Sequence, residues 1–167
     1  MTAKTASQPR TPDGTRRAAA AARPKLAFAK DDARGTIMEP ARPARILIVE
    51  DDFLVAADVE AALLDAGFNV VGIAESADRA VEFAALQKPA LILMDIRLAG
   101  GGDGIDAAVE IYREHGIRCL FASAHSDAAA RARAEPARPL GWLPKPYSMG
   151  RMLDAVRSAL SEGSGAG

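Results

Sequence analysis

The chain has 167 residues, of which 49% are hydrophobic and 26% are charged, a balance that is typical of a globular protein with one core. It has no apolar stretch near the ~18 residues that a membrane span needs and no apolar signal segment, so we expect a cytoplasmic protein without membrane contact. The single cysteine, Cys119, excludes an intramolecular disulfide and fits a reducing compartment.

The two parts of the chain carry opposite charge. Residues 1–42 hold nine Lys or Arg and four acids, whereas residues 43–167 hold twelve Lys or Arg and eighteen acids. The first part is rich in Ala, Pro and Arg and has no sustained apolar period, so it cannot bury enough surface to offset chain entropy. We expect a disordered basic extension over residues 1–42, without a nucleic-acid partner; translation from Met38 is an alternative that would make most of it an artefact.

Five short apolar runs predict five strands. They are rich in Val, Ile and Leu, which is typical of parallel strands covered on both faces. The runs are 46–49, 70–73, 91–94, 119–122 and 141–144.

Segments with helical period alternate with these runs. The first helix is ended by Gly67, the second follows the N-cap candidate Ser76, and the third is stopped by Gly116. The stretch 127–135 consists mainly of alanine and arginine with a weak apolar stripe, so we expect a short fourth helix. A fifth helix begins at Ser148, and residues 163–167 form a flexible tail.

Strict alternation of strands and helices over residues 43–162 predicts an α/β domain with a doubly wound, five-stranded parallel sheet. In the five-strand version the strand order is 2-1-3-4-5, and the switch point lies between the first and third strands. Ligands bind there, outside the carboxyl ends of the strands. The acids Glu50 to Asp52 and Asp95 should therefore meet at this edge.

Four strands each end in a polar group of a different kind. Glu50, Asp51 and Asp52 follow the first strand, and the third, fourth and fifth strands end at Asp95, Ser123 and Lys145. Clustered carboxylates need a compensating cation, and Mg²⁺, which prefers oxygen ligands, is the leading choice. A lysine and a serine hydroxyl can contact phosphoryl oxygens, which leaves an aspartate as the nucleophile.

Each of these groups also has an ordinary explanation. The acids could favour the start of the following helix, Ser123 could cap the fourth helix, Lys145 could be a solvated surface residue and Asp95 a turn former. Any one of these explanations is acceptable alone. All four groups in this order are improbable by chance.

The motifs that carry these groups resemble those of a response-regulator receiver domain, the phosphoacceptor half of two-component signalling, over residues 45–161. The resembling segments are ILIVEDD, LILMDIRL, LFASA and GWLPKP. The resemblance implies a flavodoxin-like receiver fold and a magnesium site formed by Glu50, Asp51, Asp95 and the backbone carbonyl of Arg97. It also implies phosphorylation of Asp95, a switch hydroxyl at Ser123, a phosphate-binding lysine at Lys145 and a cis peptide bond before Pro146.

The chain departs from the family pattern at three points. The loop Ala99–Gly102 is one residue longer than the common form, and we expect it to be mobile. Trp142 stands where the family commonly has a smaller aromatic switch residue, so we expect its indole to stay outside. Pro144 removes a backbone donor, which an edge strand tolerates.

The expected function is that of a stand-alone receiver, not an enzyme, which takes a phosphoryl group from a histidine kinase or a histidine phosphotransfer protein. It would act on an unknown downstream protein or as a phosphate sink, as a monomer or a weak dimer. One alternative is a magnesium-dependent phosphatase with an aspartate nucleophile, but this class needs a second acid where Arg97 stands. The other is a degenerate receiver that only binds partners.

Overall fold

The computed structural model describes residues 42–98, 102–124 and 127–163, all of which belong to one compact unit. The predicted basic extension lies outside the described residues apart from Arg42, and so does the predicted mobile loop apart from Gly102. The predicted tail also lies outside them, except that Gly163 belongs to the last helix.

Strands and helices alternate along the described chain. The strands are β1 (Arg45–Val49), β2 (Asn69–Ala74), β3 (Leu91–Asp95), β4 (Cys119–Ser123) and β5 (Gly141–Pro144). The helices are α1 (Phe53–Asp65), α2 (Ala77–Gln87), α3 (Gly104–His115), α4 (Ala128–Ala134) and α5 (Met149–Gly163), and a 3₁₀ turn, Glu135–Ala137, follows α4.

The five strands form one parallel sheet in the order β2-β1-β3-β4-β5, which confirms the predicted fold. Alternate residues of each strand face opposite layers. Leu47 and Val49 of β1 pack with α2 and α3, whereas Ile46 and Ile48 pack with α1 and α5. In the part of the chain that the structure describes, no helix is both long and apolar enough to cross a membrane.

The helix ends follow the predicted capping residues. Gly67 and Gly116 take the left-handed conformation after α1 and α3, with φ of 85° and 68°, and Ser76 accepts a hydrogen bond from the Arg79 N–H at the start of α2. The predicted short fourth helix is confirmed, since α4 has seven residues. Its N-cap is Asp127, so the capping explanation for Ser123 is wrong.

Both edges of the sheet are irregular. β5 has four residues and ends at Pro144, in agreement with the edge position expected for this proline. At the other edge, the pairing of β2 with β1 shifts register between Val70 and Gly72, so that Val71 is an extra residue in the ladder.

The start of α3 approaches the end of β3 very closely at Gly104. The Gly104 N–H donates to the carbonyl oxygen of Ile96 at 2.8 Å. A Cβ atom at this position would overlap the backbone carbonyl oxygen of Asp95. Only glycine allows this packing without a backbone shift.

We predict that Gly104→Ala lowers the free energy of unfolding by about 1–3 kcal/mol, because the new methyl group forces the backbone of Asp95 and Ile96 to move. Thermal and urea unfolding would measure the loss. The matched control is Gly150→Ala in α5, where a Cβ atom meets no neighbour within 4 Å and should stabilise the helix slightly. Equal stability of the two variants would contradict the prediction.

Candidate functional site

Three carboxylates meet where β1 and β3 end. Glu50 and Asp95 are buried, with 8% and 9% of their surface exposed, whereas Asp51 is exposed. One oxygen from each of Glu50, Asp51 and Asp95 lies within 4.8 Å of the others. Carboxylate oxygens at this spacing fit a hard divalent cation such as Mg²⁺.

The third acid of the run, Asp52, has a different role. Its Oδ1 accepts hydrogen bonds from the Leu54 and Val55 N–H groups at 2.9 and 3.2 Å and caps α1. The helix-start explanation therefore holds for Asp52, while Glu50 and Asp51 are the acids that join Asp95.

Lys145 follows β5 and faces this cluster. Its Nζ donates to Asp95 Oδ2 at 2.5 Å and to Glu50 Oε2 at 2.6 Å, so one ammonium group is hydrogen-bonded to two buried carboxylates and compensates part of their charge. The Lys145 N–H donates to the Ser123 carbonyl at 3.1 Å, and the peptide bond between Lys145 and Pro146 is cis, as predicted. Lys145 is thus not a solvated surface residue.

Burial and charge perturb two of these groups. Burial raises the pKa of Glu50 above its ordinary value, and the charge of Asp95 adds to this rise although the hydrogen bond and charge of Lys145 oppose it. Burial alone would lower the pKa of Lys145, but the hydrogen bonds and charges of Asp95 and Glu50 outweigh it, and the pKa is raised overall. The lysine is therefore charged at neutral pH.

The second oxygen of Asp95 is held by the backbone. The Arg97 N–H donates to Asp95 Oδ1 at 3.1 Å, and Arg97 forms an isolated bridge with Asp103 while its side chain is exposed. Ser123 is 3% exposed and lies one residue beyond Ala122, the β4 partner of Asp95. The predicted hydroxyl and the predicted nucleophile therefore lie at the same edge of the sheet.

Tyr147 is a neighbour of the site that the sequence did not indicate. It lines, with Val55, Lys145 and Met149, a cavity of about 420 Å³ beside the lysine. Burial raises the pKa of its phenol, Lys145 opposes the rise, and the carboxylates of the cluster add to it. Its position directly after the LPKP segment was the available signal.

Trp142 lies on the opposite layer from α1. It is half-buried, its ring stacks on Phe121 with the centroids 4.8 Å apart, and the Arg131 guanidinium lies 5.0 Å from the indole centroid. The indole is thus packed between β4 and α4, at the face where the resemblance places the aromatic switch.

Comparisons with known proteins agree with this geometry. The model of the response regulator receiver domain matches residues 46–157. The chain belongs to this family. Residues 46–157 form a receiver domain of the bacterial two-component type, and receiver domains are signalling domains, not classical enzymes.

Two relatives and one solved structure show how far the similarity extends. The transcriptional regulatory protein PdtaR of Mycobacterium tuberculosis is 36% identical over 126 residues, which cover 75% of this chain but only 61% of PdtaR. The chemotaxis protein CheY of Bacillus subtilis is 32% identical over 118 residues, which cover 70% of this chain and 98% of CheY. A CheY-like receiver domain protein from Methanospirillum hungatei, 21% identical, shares the fold with a TM-score of 0.69 over 75% of this chain and 99% of that one.

We predict that Lys145→Met destabilises the receiver domain in a pH-dependent way. Because the folded-state pKa of Glu50 is raised above 4.5, ionising this carboxyl costs stability as the pH rises through and above 4.5, and the lysine offsets part of that cost. The variant should therefore lose stability relative to the wild type as the pH rises, by about 1–3 kcal/mol at neutral pH.

Urea unfolding between pH 3.5 and pH 8 without divalent cations measures this difference. The control is Arg157→Gln, which removes an exposed ion pair with Asp154 and should change stability little at any pH. A destabilisation by Lys145→Met that does not vary with pH would show that the carboxylates are not its cause.

Proposed function

We propose that Asp95 accepts a phosphoryl group from the phosphohistidine of a histidine kinase or a histidine phosphotransfer protein. The observation that carries this proposal is the Lys145 ammonium group, which contacts Asp95 and Glu50 while Asp51 lies beside them. Phosphoryl transfer needs alignment and charge neutralisation more than covalent chemistry, and this arrangement supplies both.

The transfer is an exchange of one bond for another. A carboxylate oxygen of Asp95 attacks phosphorus, a P–O bond forms, and the P–N bond of the phosphohistidine breaks with its electron pair left on the imidazole nitrogen. The imidazole leaves neutral when its other nitrogen carries a proton. Lys145 and the Ser123 hydroxyl then hold phosphoryl oxygens.

Glu50, Asp51 and Asp95, with the backbone carbonyl of Arg97, would hold the magnesium ion, Glu50 largely through water. A bound Mg²⁺ neutralises the negative charge of the incoming phosphoryl group. The three carboxylates fit this ion because their oxygens are close together and one is exposed to solvent.

After phosphorylation, the receiver domain is proposed to act by contacting a downstream protein, as a monomer or a weak dimer. The competing role is that of a phosphate sink, which drains phosphoryl groups from a kinase. The phosphatase alternative gains no support, because the exposed Arg97 stands where that class needs an acid. A degenerate, non-phosphorylated receiver is the outcome that the next experiment would reveal.

We predict that Asp95→Asn abolishes phosphorylation by a small-molecule phosphodonor with Mg²⁺, because the amide is not a nucleophile. Intact mass analysis under conditions that preserve an acyl phosphate measures the label. The matched control is Asp52→Asn, which changes the α1 cap and should keep the label. Label that persists in Asp95→Asn would place the phosphoacceptor elsewhere, and an unlabelled wild type would indicate a degenerate receiver.

We further predict that Asp51→Ala and Asp52→Ala affect different properties, the first Mg²⁺ affinity and the second stability. Asp51→Ala should weaken Mg²⁺ binding by at least about tenfold with little loss of stability, since it removes a metal ligand. Asp52→Ala should keep Mg²⁺ affinity but cost about 0.5–2 kcal/mol of stability, since it removes the cap of α1. Calorimetric titration and urea unfolding measure the two effects, and equal losses of Mg²⁺ affinity would mean that the acidic pair is shifted by one residue.

A further inference from the structure

Arg133 spans the groove between α3 and α4. Its Nη2 donates to Asp103 Oδ2 at 2.6 Å and to Asp106 Oδ1 at 2.9 Å. These two acids lie at the N-cap and in the first turn of α3, so one guanidinium group ties α4 to the start of α3.

Asp103 is also connected to the phosphoacceptor. Its Oδ1 accepts from the Ile105 N–H at 2.8 Å and caps α3, while its backbone bridges Arg97. The Arg97 N–H in turn holds Asp95 Oδ1. Three consecutive contacts therefore lead from Asp95 through Arg97 and Asp103 to Arg133.

The apolar packing of α4 is slight. In its seven residues only Ala134 is buried, and Ala130 is half-buried. A cavity of about 510 Å³ separates the helix from the loop after β3, with Arg97, Asp103 and Arg133 in its lining. Few apolar contacts hold α4 on this side, so the partly exposed ion pairs of Arg133 with the two acids at the start of α3 are contacts that contribute to its position.

We propose that Arg133 is a positioning residue of the phosphoacceptor loop, and that through Asp103 it couples the position of α4 to the state of Asp95. The coupling rests on the proposed phosphorylation of Asp95. When Asp95 takes a phosphoryl group, its carboxyl loses the carboxylate charge, so its hydrogen bond from the Arg97 N–H weakens. A shift of the Arg97–Asp103 bridge then moves the Asp103 carboxylate that holds α4. The route is separate from the Ser123 hydroxyl and from the indole of Trp142.

The test is hydrogen exchange of the full chain, read by mass spectrometry, with and without Mg²⁺ and beryllofluoride as the phosphoryl mimic. Arg133→Gln removes the cation and Arg133→Lys restores one. The matched control is Arg131→Gln, which removes from the same helix a cation whose guanidinium lies 5.0 Å from the indole centroid of Trp142.

Without the mimic, Arg133→Gln should speed exchange in residues 102–107 by about twofold to fivefold, whereas Arg131→Gln should leave this segment unchanged. With the mimic, the wild type should change exchange in residues 128–137. Arg133→Gln should lose most of that change in exchange, and its half-saturation should need at least about twofold more beryllofluoride. Arg133→Lys should partly restore both the change in exchange and the beryllofluoride concentration at half-saturation.

Two results would overturn the proposal. One is an equal response of Arg133→Gln and Arg131→Gln in residues 102–107. The other is a faster exchange confined to residues 128–137 with unchanged half-saturation, which is the signature of a merely structural contact. A wild type that does not respond to the mimic would instead contradict the proposed function, and with it the coupling between Asp95 and α4. Exchange in residues 102–107 without the mimic would still decide whether Arg133 positions the loop.

Discussion

The arrangement of this receiver domain depends on one ammonium group that pairs with two buried carboxylates. Glu50 and Asp95 end neighbouring strands, and their burial without a cation would leave two negative charges in a region of low dielectric. Lys145 reaches both from the far edge of the sheet. Its position depends in turn on the Lys145 N–H, which is bonded to the carbonyl of Ser123, so the fourth strand holds the lysine in place.

The same charges favour the proposed phosphoryl transfer to Asp95. Asp51 is exposed beside the buried pair and leaves an excess of negative charge that a divalent cation can compensate. A dianionic phosphoryl group approaching Asp95 would meet the positive charge of Lys145, and a divalent cation held by the carboxylates would add to it. The fold thus places the proposed phosphoacceptor carboxylate close to groups that attract a phosphoryl group.

Much of the fold and most of the site could be predicted from the sequence, because the relevant signals are local. Continuous apolar runs predict buried parallel strands, and Gly67 and Gly116 mark helix ends through their backbone conformation. The strand order then places Asp95 beside Glu50, since the carboxyl ends of parallel strands share one edge. The sequence alone does not separate the roles of the adjacent acids Asp51 and Asp52, of which the first joins the carboxylate cluster and the second caps α1, because this depends on where the helix begins.

The features that the sequence did not reveal are contacts between distant segments. Arg133 and Asp103 are thirty residues apart, and nothing in the run AAARARA distinguishes Arg133 from Arg131. The close approach of Gly104 to Asp95 depends on how α3 docks on β3. Such contacts follow from the packing of whole elements, which local propensity does not determine.

The irregular edges of the sheet restrict how two copies of this chain can associate. A further strand cannot continue the ladder past Pro144, which has no N–H to donate, and the extra residue Val71 distorts the opposite edge. Sheet extension between molecules, the usual route to fibres and to strand-mediated aggregation, is therefore discouraged at both ends. These edges favour association of the described residues through helix surfaces, whose contacts can be made and released without unfolding the sheet.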